Sequence, residues 1–201
     1  MELQIEELIL RYPKLSDLKK ISDFIDRNKE HLTPWENQIV IDLSSQLTDW
    51  IRDVEEGCSI RFFLFHKDDP EKLIGMINFT QIFRGGFQAC YLGYKIDKEF
   101  EGKGYMFKAL KKGIEYMFGK EKIHRIMSNF MPHNDRSASV LLRLGFVIEG
   151  YAKNYLKING EWQDHILTAL NYERWTSKDP VDAKLAFDET IENLKKWAAN
   201  L

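Results

Sequence analysis

A glycine-spaced turn between a β-prone run and an amphipathic stretch constrains this chain more than any other feature. The run is Ala89-Cys90-Tyr91-Leu92-Gly93-Tyr94-Lys95-Ile96, and the turn is Glu101-Gly102-Lys103-Gly104-Tyr105. Beyond it, Met106, Leu110, Gly113, Ile114 and Met117 recur at the spacing of one helix face. A strand that feeds a helix through glycines presents unpaired main-chain N–H groups at the positive end of a helix dipole, and such a site suits phosphate. Two familiar phosphate loops do not fit. Gly104 is followed by Tyr105 rather than Lys-Ser or Lys-Thr, and Phe107 stands where a dinucleotide fingerprint needs its third glycine. The same residues also serve as an ordinary strand–helix connection, so the turn alone leaves both readings open.

Composition narrows the classes. A length of 201 residues suits one domain with a full core and room for an appendage. With 29 Lys+Arg against 31 Asp+Glu, the net charge of −2 gives no reason to expect a nucleic-acid or membrane-surface role. Cys58 and Cys90 lie far apart without metal-type spacing, which suits free thiols in a reducing compartment. The start Met1-Glu2-Leu3-Gln4-Ile5-Glu6-Glu7 is acidic and unlike a signal peptide, and no apolar run has the length to span a bilayer. The expectation is a cytoplasmic protein without a metal site, either monomer or homodimer.

The remaining segments give an element order. Leu8 to Tyr12 reads as a strand closed by Pro13. Ser16 is placed to cap a helix whose face carries Leu18, Ile21 and Ile25. The loop His31-Leu32-Thr33-Pro34-Trp35-Glu36 ends it, and a second helix follows with Leu43, Leu47, Trp50, Ile51 and Val54 on one stripe, closed by Gly57. Ser59–His66 and Leu73–Phe83 read as strands joined by a turn at Asp68-Asp69-Pro70, and Arg84-Gly85-Gly86 turns into the run before the glycines. After the glycine turn come a helix to Gly119, a strand over His124–Phe130, and a helix from Asn134 to Gly145. A closing hairpin bends at Asn159-Gly160. This is an α+β arrangement with a mostly antiparallel sheet. Trp175-Thr176-Ser177-Lys178-Asp179-Pro180 marks a boundary, beyond which Leu185, Phe187, Ile191, Leu194, Trp197 and Ala198 share a helical stripe.

The element order and the glycine turn together resemble the GNAT acyltransferase superfamily, whose acetyl-CoA loop has the form Gln or Arg, two residues, Gly, one residue, Gly or Ala. Here Glu101 and Met106 depart from the first and last positions. His133-Asn134-Asp135-Arg136-Ser137-Ala138 through Leu144-Gly145-Phe146 resembles the second motif, in which Asn134 would hold the pantetheine arm. Asn134 is equally suited to cap its own helix. Within the superfamily, Ile123 to Asn134, Glu149 to His165 and the loop Leu32 to Glu36 are similar to the RimJ-type ribosomal-protein-alanine N-acetyltransferases. The resemblance runs from Glu7 to about Trp175. It implies a GNAT domain over 7–175 with a helical extension over 176–201.

The same resemblance implies transfer of an acetyl group from acetyl-CoA to the N-terminal α-amino group of a small-subunit ribosomal protein. An acetyltransferase for a small amine or antibiotic, and a non-catalytic acyl-CoA-binding assembly factor, are the competing expectations. The strand end Tyr94-Lys95-Ile96 would pair with the pantetheine and polarise the thioester carbonyl. Glu101, Gly102, Lys103, Gly104, Tyr105 and Met106 would form the diphosphate cradle. The tyrosine acid common in the superfamily is replaced by Val140-Leu141. Ser137, nine positions before Phe146, matches the serine that related Rim-type enzymes use to protonate the leaving thiolate. A helix first-turn serine bonded to its own backbone is the alternative. The carboxylate that a related enzyme uses as base falls on Leu156, which leaves Asp164, His165, His133 and Glu149 as candidates. Trp35, Tyr155 and Trp162 are expected walls of the acceptor channel, with burial in the core as their other possible role.

Overall fold

The computed structural model describes residues 1–36, 42–177, 192–193 and 196. Eight strands form one sheet: β1 Glu2–Ile5, β2 Leu8–Arg11, β3 Ile60–His66, β4 Asp69–Phe83, β5 Ala89–Ile96, β6 Arg125–Phe130, β7 Val147–Ile158 and β8 Glu161–Asn171. Their spatial order is β1-β2-β3-β4-β5-β6-β8-β7. The helices are α1 Leu18–Leu32, α2 Leu43–Glu55, α3 Tyr105–Gly119, α4 Asp135–Arg143 and α5 Tyr172–Ser177.

The apolar run of β3 explains the layering. Phe62 and Leu64 point into a core shared with α3 and α4, while Phe63 and Phe65 point into a second core under α1 and α2. A strand buried on both faces has no polar side to alternate with, so it reads as a continuous apolar stretch. The helices therefore lie on both sides of the first half of the sheet.

The expected order is present with additions at each end. The acidic start is a strand, β1, whose Leu3 and Ile5 pack on the larger core and whose residues pair antiparallel with β2. Ser16 does not cap a helix. The buried Asp17 carboxylate takes the Lys14 N–H at 2.8 Å and the Arg11 guanidinium at 2.7 Å, which winds Leu15–Asp17 into a 3₁₀ turn and delays α1 to Leu18. The turn expected at Asp68–Pro70 falls at Lys67-Asp68, since His66 already pairs with Asp69. Pro70 then sits in the bulge between the Phe65 and His66 pairs, where no ladder hydrogen bond is required of it. Asn159 and Gly160 have φ of 49° and 89°, as a type I′ hairpin turn demands. Helix α5 crosses into the expected boundary, and the stripe from Leu185 to Ala198 lies outside the described residues.

One junction in the sheet is incomplete. β5 and β6 run parallel and pair only from Ala89↔Arg125 to Tyr91↔Met127, although β5 continues to Ile96 and β6 to Phe130. At the end of the ladder the Ser128 hydroxyl donates to the Leu92 carbonyl at 3.0 Å in place of a main-chain bond. Beyond it the two strands part, and the freed edge of β5 leads directly toward the glycine turn.

Candidate active site

The glycine turn is held from behind by α1. Arg27 on α1 reaches Asp97, just after β5, at 3.0 Å and the Leu73 carbonyl at 2.9 Å. The buried Asn28 accepts the Lys98 N–H at 2.9 Å. Asp97 in turn accepts the Glu99 N–H, so a short 3₁₀ turn over Lys98–Phe100 delivers the chain to the glycines in a fixed direction. Gly75 on β4 lets the strands close here: a Cβ on it would stand 3.0 Å from the Lys95 carbonyl and 3.2 Å from Met106 Cε.

Gly104 ends the turn with φ +76°, a left-handed conformation open to glycine at little cost. The first main-chain bond of α3 runs from the Lys108 N–H to the Gly104 carbonyl at 3.1 Å. The N–H groups of Tyr105, Met106 and Phe107 therefore have no main-chain acceptor among the described residues. A Cβ built on Gly102 or Gly104 meets nothing within 4 Å, so the space in front of these donors is open. That space belongs to a cavity of about 690 Å³ running from the glycine turn along the end of β5, between α1 and α4. Its volume is in the range of small-molecule sites. Cations frame the glycine end: Lys103 lies 4.8 Å above the Phe100 ring and Arg143 4.4 Å above Phe107, and both line the cavity.

The strand end divides its side chains between two faces, as β alternation requires. Tyr94 points to α4, where its phenol lies 2.8 Å from Ser137 Oγ and 3.2 Å from the Ser137 carbonyl. Burial raises the Tyr94 phenol above its ordinary range, and the bond to Ser137 only partly opposes this, so it stays protonated. Asn134 caps α4 by accepting the Ser137 N–H at 3.1 Å and also lines the cavity. Lys95 points the other way and meets Glu36, with Nζ 2.6 and 2.8 Å from the two carboxylate oxygens. Glu36 and Trp35 stand on the turn that ends α1, both donating their N–H to the Leu32 carbonyl. The tip of the β7–β8 hairpin braces that turn through Asn159, whose amide donates to the Thr33 carbonyl.

An acetyltransferase (GNAT) domain model matches residues 7–147. The chain is a member of the GNAT acetyltransferase family. The [ribosomal protein uS5]-alanine N-acetyltransferase of Escherichia coli strain K12 is 42% identical over 183 residues, covering 88% of this chain and 93% of the relative. The solved ribosomal-protein-S5-alanine acetyltransferase of Vibrio fischeri aligns with a TM-score of 0.82 at 36% identity, over 88% of this chain and 99% of the other. Mycobacterium smegmatis RimJ in complex with CoA-disulfide aligns at 0.76 and 25% identity, over 88% of each chain. The residues of this GNAT cavity fit acetyl-CoA on their own account: free N–H donors, open space above two glycines, flanking cations and a parted strand edge.

All ten residues expected at the coenzyme line this cavity, from Tyr94-Lys95-Ile96 through the turn to Met106, together with Asn134. Ser137 and Trp35 line it too. Glu101 is engaged at its far end by His31 at 3.2 Å and by Arg136, which offsets its negative charge beside the free N–H groups of the turn. Four expected residues are not among the cavity's lining. The Asp164 carboxylate on β8 is occupied by the Tyr151 hydroxyl at 2.7 Å and the Asn154 N–H at 2.8 Å. These bonds hold it below the usual carboxylate range. His165 is buried with Nδ1 3.0 Å from the Gln163 carbonyl, and that burial lowers its basicity. Tyr155 packs on the His165 ring at 5.6 Å, and Trp162 is 60% exposed on the hairpin. Of the other base candidates, Glu149 pairs with Arg125 and His133 stacks on Trp35 at 5.3 Å. Sequence reasoning missed Glu36, which lines the cavity beside the strand end.

Proposed function

We propose that this chain transfers the acetyl group of acetyl-CoA to the α-amino group of a protein N-terminus, the acceptor being an N-terminal alanine on a small-subunit ribosomal protein. One observation carries the choice of acceptor: 42% identity over an alignment that covers 93% of a uS5-alanine N-acetyltransferase, far more than a shared coenzyme turn alone would span. The catalytic unit in this reading is the domain over 7–175, with 176–201 appended to it, acting where ribosomal proteins are made.

The chemistry asks little of the protein beyond placement. The free N–H groups of Tyr105 to Phe107 would take the diphosphate, with Lys103 and Arg143 beside it. The unpaired edge of β5 would hold the pantetheine and turn main-chain N–H toward the thioester oxygen as charge develops there. Much of the acceleration then comes from holding amine and thioester together. In this reading Ser137, which lines the cavity beside the Tyr94 phenol, protonates the departing sulfur. When the Tyr94 phenol donates to Ser137 Oγ, the serine proton is free to turn toward the thiolate.

The test is transfer of labelled acetyl from acetyl-CoA to a peptide beginning with Ala, compared with the same peptide blocked at its terminus. Labelling confined to the free terminus is expected. Equal labelling of both, or preference for a small amine in direct competition, overturns the acceptor assignment.

A further inference from the structure

A cationic acceptor entering this cavity must be neutralised before it can attack a thioester, and among the described residues three carboxylates line it: Glu36, Glu101 and Asp135. Glu101 is already shared between His31 and Arg136 at the glycine end. Asp135 opens α4 with its side chain exposed. Glu36 remains. Its side chain is 33% exposed, it stands beside the last residues of β5, and its partner is the Lys95 ammonium at 2.6 Å. Lys95 follows Tyr94, whose phenol holds Ser137 on the opposite face. The strand end is therefore flanked by a hydroxyl donor on one side and a carboxylate on the other.

We propose that Glu36 receives the acceptor's primary ammonium in place of Lys95 and takes a proton from it, which makes Glu36 the general base that the hairpin residues Asp164 and His165 do not supply. The inference deepens the acetyltransfer reading and rests on it. The ammonium loses two protons overall. One passes to Glu36 and then to solvent, leaving the neutral amine to form the C–N bond. The second leaves nitrogen as that bond forms and, through solvent, restores to Ser137 the proton it gives to the CoA sulfur as the C–S bond breaks. The Lys95 ammonium is the resident analogue of the group to be bound: it is primary and cationic, as an α-ammonium is, and it donates to both Glu36 oxygens. Trp35, on the same turn, walls the cavity beside it with His133 stacked behind.

The readout is the pH profile of kcat/KM for the Ala peptide with the full chain. An α-amino group has an ordinary pKa of roughly 7.7–8.0, so above about pH 9 it needs no base. Glu36→Gln is expected to lower kcat/KM roughly tenfold near pH 6.5, with the deficit closing to about twofold near pH 9. Glu36→Asp should recover part of the low-pH rate. Acetyl-CoA affinity and Tm, measured alongside, should stay near those of the unaltered chain. Lys95→Met should lower the KM for the peptide, because its ammonium no longer competes. A deficit for Glu36→Gln that is constant across pH marks a structural strut and overturns the proposal, as does a raised peptide KM in Lys95→Met. If the unaltered chain labels a different primary amine, the acceptor assignment fails and the same profile on that amine decides the role of Glu36.

Discussion

The two walls of the cavity are made of different material. The wall at the glycine turn, proposed to take the coenzyme's phosphates, is mostly main chain: N–H groups of Tyr105 to Phe107 behind two glycines, flanked by Lys103 and Arg143, with Asn134 capping the helix opposite. The wall at the strand end, proposed to meet the reacting atoms, is side chain, and it is assembled by contacts across the fold. Tyr94 meets Ser137 and Lys95 meets Glu36, 43 and 59 positions apart in sequence. Main-chain donors can hold a diphosphate whatever side chains surround them, so the first wall serves any acyl-CoA chemistry. The second wall decides what the chemistry does.

The sharpest way to break that division is on the side-chain wall. Ser137→Ala keeps the helix cap, because Asn134 accepts the Ser137 main-chain N–H rather than its hydroxyl. A CoA thiol resembles a free cysteine, with a pKa of roughly 8.5, so its departure needs only modest acid help. The loss in kcat should lie at the low end of acid catalysis, about 10²-fold, with acetyl-CoA affinity unchanged. Steady-state kinetics and calorimetry on the same preparation separate the two quantities. A kcat within twofold of the original would reduce Ser137 to a packing partner of Tyr94.

Gly104→Val tests the main-chain wall and should have a smaller effect of the opposite kind. A Cβ there meets nothing within 4 Å beyond its chain neighbours, so the valine has open space in front of the donors to fill. Acetyl-CoA KM should rise roughly tenfold while kcat at saturation holds, since only binding away from the reacting atoms is lost. The φ of +76° adds strain of about 1–2 kcal/mol. Gly57→Val is the control, since Gly57 has φ +72° with nothing within 4 Å and stands after α2, outside the cavity lining. It should lower Tm as much and leave KM alone. Equal KM values for the two variants would show that the glycine turn does not hold the diphosphate.

What was legible in the chain follows the same division. A glycine turn, an asparagine cap and an Asn-Gly hairpin are local instructions, each carried by a few adjacent residues with special backbone needs. All three are found where the sequence puts them. The apolar run of β3 was legible as a strand, but its place between two helical layers was not, because continuous burial erases the alternation that marks a face. Ser16 misled for a related reason: Asp17 outcompetes it through Arg11, a partner from the preceding strand that no local pattern reveals. Glu36 is not legible as a site residue, since nothing in His31 to Glu36 says that Lys95 will stand opposite. Asp164 and His165 are base candidates because the position a related enzyme uses holds Leu156 here. Whether such residues face a cavity depends on strand register, which pairs His165 with Ala152.

Asp164 therefore offers the smallest effect and the finest test of the division. Its carboxylate is held below the ordinary range first by the Tyr151 hydroxyl and then by the Asn154 N–H. Tyr151 is pushed up to about 12, by burial first and then by the same bond. A carboxyl whose folded value lies below its unfolded value of about 3.9 stabilises the fold above that pH, and the contribution is lost as pH falls through the folded value. Asp164→Asn should thus show a lower Tm at neutral pH, a gap that closes as pH falls below the ordinary carboxylate range. With peptide and acetyl-CoA at saturation, kcat should stay within about twofold, because both oxygens are bonded within the hairpin and Asp164 does not line the cavity. A tenfold fall in kcat without a fall in Tm would move the base from Glu36 to the hairpin, and the reacting wall would then have to be redrawn on the other side of the parted strands.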